Sequence, residues 1–192
     1  MRRFSAGDVD GLVALDSDPE VMRFLGPVES RAEVEADVLP RLLSGHVRHP
    51  GFGYWAAQIL PDEPILPDER ADLAGWFGLR PVVPGSGWID DWPEAPAGNA
   101  AVAALGYRLR RGAWGQGYAT EGALALVCHA FTRLGVHRVV ATTMAVNARS
   151  RRVLEKAGLT HVRTLYLDWA EPLPGAEHGD VEYELRRDDW EP

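Results

Sequence analysis

The chain has 192 residues and a mass of 21.1 kDa, which sets one domain as the prior and leaves room for a core without covalent staples. Hydrophobic residues make up 46% and charged residues 25%, a balance that excludes wholesale disorder. Twenty-eight acids against twenty bases give a formal charge of −8, which argues against a coat for nucleic acid and favours cationic or neutral partners.

The first fifty residues read as short helices. Asp8 is placed to cap a segment carrying Val9, Leu12 and Val13. Asp18-Pro19-Glu20 combines an N-cap, a proline at the first helical position and a first-turn acid, ahead of Val21-Met22-Phe24-Leu25. Ser30-Arg31-Ala32-Glu33 fits a capping box, and Pro40 is expected to kink or shorten the helix that follows. Tyr54 to Leu60 and Leu73 to Val83 then read as strands. Pro84 to Gly98, with Trp88 and Trp92, reads as an ordered loop. Val102 to Leu109 is a strand, and Thr120 to Leu134 is the clearest helix, with Leu124, Val127, Phe131 and Leu134 as its apolar stripe. Gly135 ends it. A strand follows at Arg138 to Met144, a helix at Ala148 to Ala157 stopped by Gly158, and two strands near Val162–Asp168 and Val181–Arg187. A βαβ unit with early helices and late strands predicts an α/β or α+β fold on a mixed sheet.

The single cysteine, Cys128, excludes an internal disulfide and is expected on the buried side of the long helix. The first residues, with Asp8 and Asp10 close behind, lack the apolar run of a signal peptide. No stretch approaches the roughly 18 apolar residues of a membrane span. A soluble cytoplasmic protein without membrane or nucleic-acid partners is therefore expected. His46 and His49 lack acidic or cysteine partners at ligand spacing, so no metal is expected.

Chemistry concentrates between the Val102–Leu109 strand and the long helix. Gly112, Gly115 and Gly117 let successive N–H groups turn outward, and the helix adds free N–H groups and its positive dipole end. Such a turn suits a phosphate. Tyr118-Ala119 stand where a P-loop needs Lys and Ser or Thr, which excludes that motif. Thr120 replaces the last glycine of a dinucleotide fingerprint, and no acid occurs between Glu121 and Glu155. Glycines that merely tighten a strand-to-helix turn remain the alternative.

The ordered set Leu105-Gly106-Tyr107-Arg108-Leu109, Trp114-Gly115-Gln116-Gly117-Tyr118-Ala119-Thr120-Glu121-Gly122 and Asn147-Ala148-Arg149-Ser150 through Gly158-Leu159 resembles the central motif of the GNAT acetyltransferases. Within them it is most similar to the ribosomal-protein N-terminal alanine acetyltransferases of Rim type. The resemblance covers about Ala104 to Leu159. It implies a single GNAT domain over 1–192 with a mostly antiparallel central sheet, splayed at its central strands and flanked by helices. It also implies acetyl-CoA as co-substrate, with its pyrophosphate on the backbone from Gly112 and Ala113 through Trp114, Gly115, Gln116, Gly117, Tyr118 and Ala119 to Thr120. Pantetheine would lie along Tyr107, Arg108 and Leu109, with Asn147 and Ser150 beside it and the sulfur. Ser150 is the candidate for the bond to sulfur.

Two positions depart from the family's pattern: Ala104-Leu105 stand where many relatives carry a Glu, and Leu154 stands where others place a Tyr. A base is therefore sought among Asp90, Asp91 and Glu94. Trp88 and Trp92 beside Asp90 and Asp91 form a candidate site for a cationic amine. The acceptor implied is a primary amine, on a protein N-terminus, a small metabolite or an aminoglycoside, attacked directly by a monomer or homodimer. A CoA-binding module with little transferase activity is the rival reading. Charge divides along the same line. Arg108 to Arg163 holds ten bases and two acids, net +8, and the remainder ten bases and twenty-six acids, net −16. The basic segment suits the phosphates of CoA, and the acidic remainder suits an ammonium.

Overall fold

A computed structural model describes residues 1–60, 72–82, 102–168 and 170–191. The Pro84–Gly98 loop, and with it Trp88, Asp90, Asp91, Trp92 and Glu94, lies outside the described residues. Among the described residues seven strands hydrogen-bond in the order β1-β2-β3-β4-β5-β7-β6. They are β1 (Arg2–Arg3), β2 (Gly53–Gln58), β3 (Leu73–Pro81), β4 (Val102–Leu109), β5 (Arg138–Met144), β6 (Thr160–Leu165) and β7 (Asp180–Arg186). Among the described residues six α-helices accompany them: α1 (Val9–Asp16), α2 (Pro19–Met22), α3 (Arg31–Glu33), α4 (Leu39–Arg48), α5 (Tyr118–Arg133) and α6 (Ala148–Lys156). β1 pairs antiparallel with β2, and β7 antiparallel with both β5 and β6. The bonds Arg110 N–H to Ala74 O and Val82 N–H to Val102 O run β3 and β4 in opposite directions. β4 and β5 are parallel, as a helical crossover requires, and their ladder covers Val102–Ala104 against Arg138–Val140. This is the mixed, mostly antiparallel α/β sheet that the sequence predicts.

The chain divides into two compact units. The first comprises Met1–Gly78 and Tyr107–Tyr118, the second Leu79–Gly106 and Ala119–Pro192. In the first, Phe4, Leu12, Val34, Val38, Leu39, Leu42, Tyr54 and Ala56 form the core, with Trp76 packed against it. The capping box forms as predicted: the Ser30 N–H donates to Glu33 Oε2 at 2.7 Å and the Glu33 N–H to Ser30 Oγ at 3.3 Å. Pro40 acts upstream of itself. It has no N–H to donate back, and the chain widens into a π-helical turn over Val34–Val38 before α4 resumes. Asp18 caps α2 by accepting from the Glu20 N–H at 2.9 Å. Asp8 does not cap α1 with its side chain, because Arg2 and the Ser5 N–H draw its carboxylate backwards. At the site end of this unit β3 and β4 approach closely. A Cβ at Gly75 (φ +147°) would come within 2.1 Å of the Arg108 carbonyl, so only glycine fits there.

In the second unit α5 buries Ala123, Leu126, Val127, Ala130 and Phe131. Val127 and Phe131 of the predicted stripe are fully buried and Leu134 is half-buried, while Leu124 falls outside it. Leu124 is exposed, and Cys128 is exposed rather than buried, because two adjacent columns of the helix face the sheet and both residues fall beside them. Gly135 closes α5 with a bond from the Val136 N–H to Ala130 O. Among the described residues no helix is long and apolar enough to cross a membrane.

Candidate functional site

β4 ends in a turn braced by its own side chains. A short 3-10 turn over Arg111–Ala113 follows Leu109. The Trp114 indole N–H donates to the Leu109 carbonyl at 2.7 Å, and the Gln116 amide donates to Gly112 O at 2.6 Å. Gly115 and Gly117 take φ of +76° and +89°, and a Cβ on either, or on Gly112, would meet nothing within 4 Å. Left-handed glycines with open space over them turn backbone N–H groups toward a ligand rather than toward packed protein. α5 begins at Tyr118, so its unpaired first-turn N–H groups, those of Tyr118, Ala119 and Thr120, follow the turn directly. The Ala113 and Trp114 N–H groups are engaged inside the turn, on Arg110 O and Arg111 O. Of the amides expected to meet a phosphate, those of Ala113 and Trp114 are thus engaged within the turn, and the Trp114 indole braces it.

On β4 itself, the Tyr107 ring lies 6.0 Å from that of Phe77. The Arg108 guanidinium donates to Asp16 Oδ1 at 2.5 Å. This side chain is thus tied to α1.

In the second unit, Asn147 caps α6. Its Oδ1 accepts from the Ser150 N–H at 3.2 Å, which fixes Ser150 in the first turn. The next residue, Arg151, donates to the Ala145 carbonyl and to the Tyr183 hydroxyl, both at 3.2 Å, and that hydroxyl donates to Glu155 at 3.0 Å. The Asn147–Ser150 turn is therefore pinned from β7 and from the end of β5. Leu154 is fully buried, so the position where relatives place a Tyr is core here.

The His46 Nε2 lies 2.6 Å from the Tyr54 carbonyl, and its ring stands edge-on to Trp55. No group of three metal-ligating side chains occurs among the described residues. Sequence reasoning missed Asp16. The available signal was an acid four residues after Leu12, on the buried face of its helix.

A mixed sheet whose parallel crossover opens on a glycine turn and a helix N-terminus defines an α/β protein with an open backbone turn between β4 and α5. The family model described as acetyltransferase (GNAT) domain matches residues 1–160. The chain is 35% identical over 177 residues to the FsC-acetyl coenzyme A-N(2)-transacetylase of Aspergillus fumigatus, covering 92% of this chain and 68% of that protein. Among solved structures, aminoglycoside acetyltransferase AAC(6')-Ib in complex with coenzyme A superposes with a TM-score of 0.70 at 18% identity, over 98% of this chain and 94% of that one. Spermidine N-acetyltransferase from Vibrio cholerae, in complex with CoA and spermine, gives 0.67 at 16% identity over 98% and 95%. At those identities the likeness is one of fold. The chain belongs to the GNAT acetyltransferase family, whose acetyl donor is acetyl-CoA.

Proposed function

We propose that the chain is an N-acetyltransferase that moves acetyl from acetyl-CoA to a primary amine by direct attack. The observation that carries the reading is the braced turn with left-handed Gly115 and Gly117 open to a ligand ahead of α5. The N–H groups from Gly115 to Thr120 hold the pyrophosphate, and the Tyr107–Leu109 backbone holds pantetheine. The chain acts as one functional domain with its acetyl-CoA core at about 104–159.

In the reaction the neutral amine nitrogen forms a bond to the thioester carbonyl carbon, the C–S bond breaks, the sulfur takes a proton and the amine gives one up. An exposed amine is largely protonated at neutral pH, so the site must help it lose a proton. Backbone N–H groups suit the developing oxyanion. Ser150 bonds the departing sulfur, and Asn147 positions Ser150. The acceptor is a protein N-terminal α-amine, as the resemblance to the Rim-type enzymes favours, or a small amine. A relative named as an N(2)-transacetylase, and fold neighbours named as an aminoglycoside acetyltransferase and a spermidine N-acetyltransferase, support an amine acceptor.

Thiol release from acetyl-CoA against a panel of amines tests this, with the acetylated amine identified by mass. Turnover is expected, with kcat lowered about ten- to hundredfold in Ser150→Ala, the worth of one hydrogen bond to developing charge. Asn147→Ala is expected to lower kcat as well. Tight CoA binding without turnover on any amine establishes a CoA-binding module instead, the reading that Leu154 and Ala104-Leu105 favour. Full activity in both variants removes Asn147 and Ser150 from the site.

A further inference from the structure

The first turn of α6 is held from more directions than a helix start needs. The Asn147 side chain already caps it on the Ser150 N–H. Arg151 then spans the turn: its Nη1 donates to the carbonyl of Ala145, just past the end of β5, and its Nε donates to the Tyr183 hydroxyl on β7. The Ala145 N–H donates in turn to Gly179 O at 2.9 Å. Gly175 (φ +94°) lies so close to the same turn that a Cβ on it would stand 2.7 Å from Val146 Cγ2. Ala145, Val146 and Asn147 thus each carry a fixing contact.

Tyr183 is the firm end of this arrangement. It is fully buried in β7, which pairs there with Ala141 of β5 on one side and His161 of β6 on the other. The His161 ring meets it edge-on at 5.6 Å. Packing explains the ring but not the hydroxyl, since a phenylalanine fills the same space without a polar group to satisfy. Here the hydroxyl is used twice, accepting from Arg151 and donating to Glu155 Oε1 at 3.0 Å. Arg151 and Glu155 stand four apart on one face of α6, so bonding both fixes the rotation of the helix against a strand paired on both sides. Resting on the transferase reading, we propose that Arg151 and Tyr183 are positioning residues for acetyl transfer: they hold the Asn147–Ser150 turn so that the Ser150 hydroxyl meets the departing sulfur. A group displaced by about 1 Å can lower a rate about a hundredfold, so a network one residue from Ser150 acts on kcat without touching the donor.

The experiment is a double-mutant cycle on kcat between Tyr183→Phe and Ser150→Ala, read as thiol release from acetyl-CoA with whichever amine of the panel wild type turns over fastest. KM for acetyl-CoA and melting temperature are measured on each variant. Tyr183→Phe keeps the ring and removes only the hydroxyl. It is expected to lower kcat about tenfold, the effect of one lost hydrogen bond, and to leave KM for acetyl-CoA unchanged. In the Ser150→Ala background the same change is expected to lower kcat no further, because there is no hydroxyl left to position. Arg151→Lys keeps the charge but loses the two fixed directions of the guanidinium, and is expected to behave as Tyr183→Phe does. If Tyr183→Phe does not fold, the cycle is run with Arg151→Lys. A variant that lowers the melting temperature with kcat intact, or that lowers kcat by the same factor with and without Ser150, overturns the positioning role while the transferase reading stands. So does a Ser150→Ala protein of full activity. Absence of wild-type turnover on every amine overturns the transferase reading and the positioning role with it.

Discussion

The two ends of α1 each carry a buried aspartate paired with an arginine, and the two pairs are finished differently. At the start, Asp8 accepts four hydrogen bonds: from Arg2 Nη2 at 2.5 Å on Oδ1, and from Arg2 Nη1, the Ser5 N–H and Ser5 Oγ on Oδ2. Arg2 also donates to Gln58, which ties the two-residue β1 to β2 beyond its backbone ladder. At the end, among the described residues, Asp16 accepts from Arg108 on one oxygen only, and both members of the pair keep an orphan atom. Asp8 is more exposed than Asp16, at 5% against 0%, yet it is the better satisfied. Burial therefore does not track how completely a charge is bonded here. Saturation separates the two pairs: the first is fully bonded, and the second keeps unpartnered atoms among the described residues.

The largest expected effect comes from removing each arginine. Arg108→Met strands Asp16 without any donor to its side chain among the described residues. It is expected to cost about 3–5 kcal/mol in urea unfolding, the usual cost of leaving one half of a buried pair. Arg2→Met leaves Asp8 with the Ser5 N–H and hydroxyl, and Arg2 is itself 33% exposed. About 1–2 kcal/mol is expected, because solvent screening and the remaining donors offset the loss. Equal losses in the two variants break the contrast, since they make both pairs structural in the same sense.

How much of this was legible in the sequence follows from the range of each interaction. The turn from Leu109 to Thr120 reads directly, because its chemistry lies in consecutive residues. So do the Ser30–Glu33 capping box and the closure of α5 at Gly135. Asp16 shows its burial in its spacing from Leu12, but its partner is 92 residues away and only the sheet brings the two together. β1 has two residues, too few for any period to show. Leu124 and Cys128 were misplaced for a related reason. A helix of alanine, leucine and valine admits more than one apolar stripe, and the sheet it covers chooses between them. The Trp114 indole bond to Leu109 is local, yet an indole at a turn announces neither its donor nor its direction.

A smaller effect belongs to the first pair and is read against pH. Burial pushes the Asp8 carboxyl upward, but the hydrogen bonds from Arg2 and Ser5 and the guanidinium charge outweigh it, and the group is held below the usual carboxylate value. A folded value below the unfolded one, about 3.9, contributes stability that is complete above that pH and lost as pH falls through the folded value. Asp8→Asn is therefore expected to flatten the stability curve below about pH 4. The measurement is the urea midpoint from pH 7 to pH 2 in both proteins. A wild-type curve as flat as that of the variant shows that the pair does not hold the carboxylate.

The smallest effect belongs to the third acid of the same helix. Asp10 reaches Arg31 at 2.6 Å, a distance as short as those of the buried pairs, but its side chain is 80% exposed and that of Arg31 53%. Arg31 also reaches Glu35 at 3.1 Å, one turn along its own helical segment, so losing Asp10 leaves it a partner. Water and salt screen both contacts, and two long side chains give up rotamer freedom to make them. Asp10→Asn is expected to leave the urea midpoint unchanged within error at 0.15 M salt, although the pair is as tight in distance as the other two. A loss comparable to that of Arg2→Met shows instead that the Asp10–Arg31 bond anchors α1 to the segment after Ser30. Distance then outranks exposure on this helix, and the contrast between its two ends loses its physical basis.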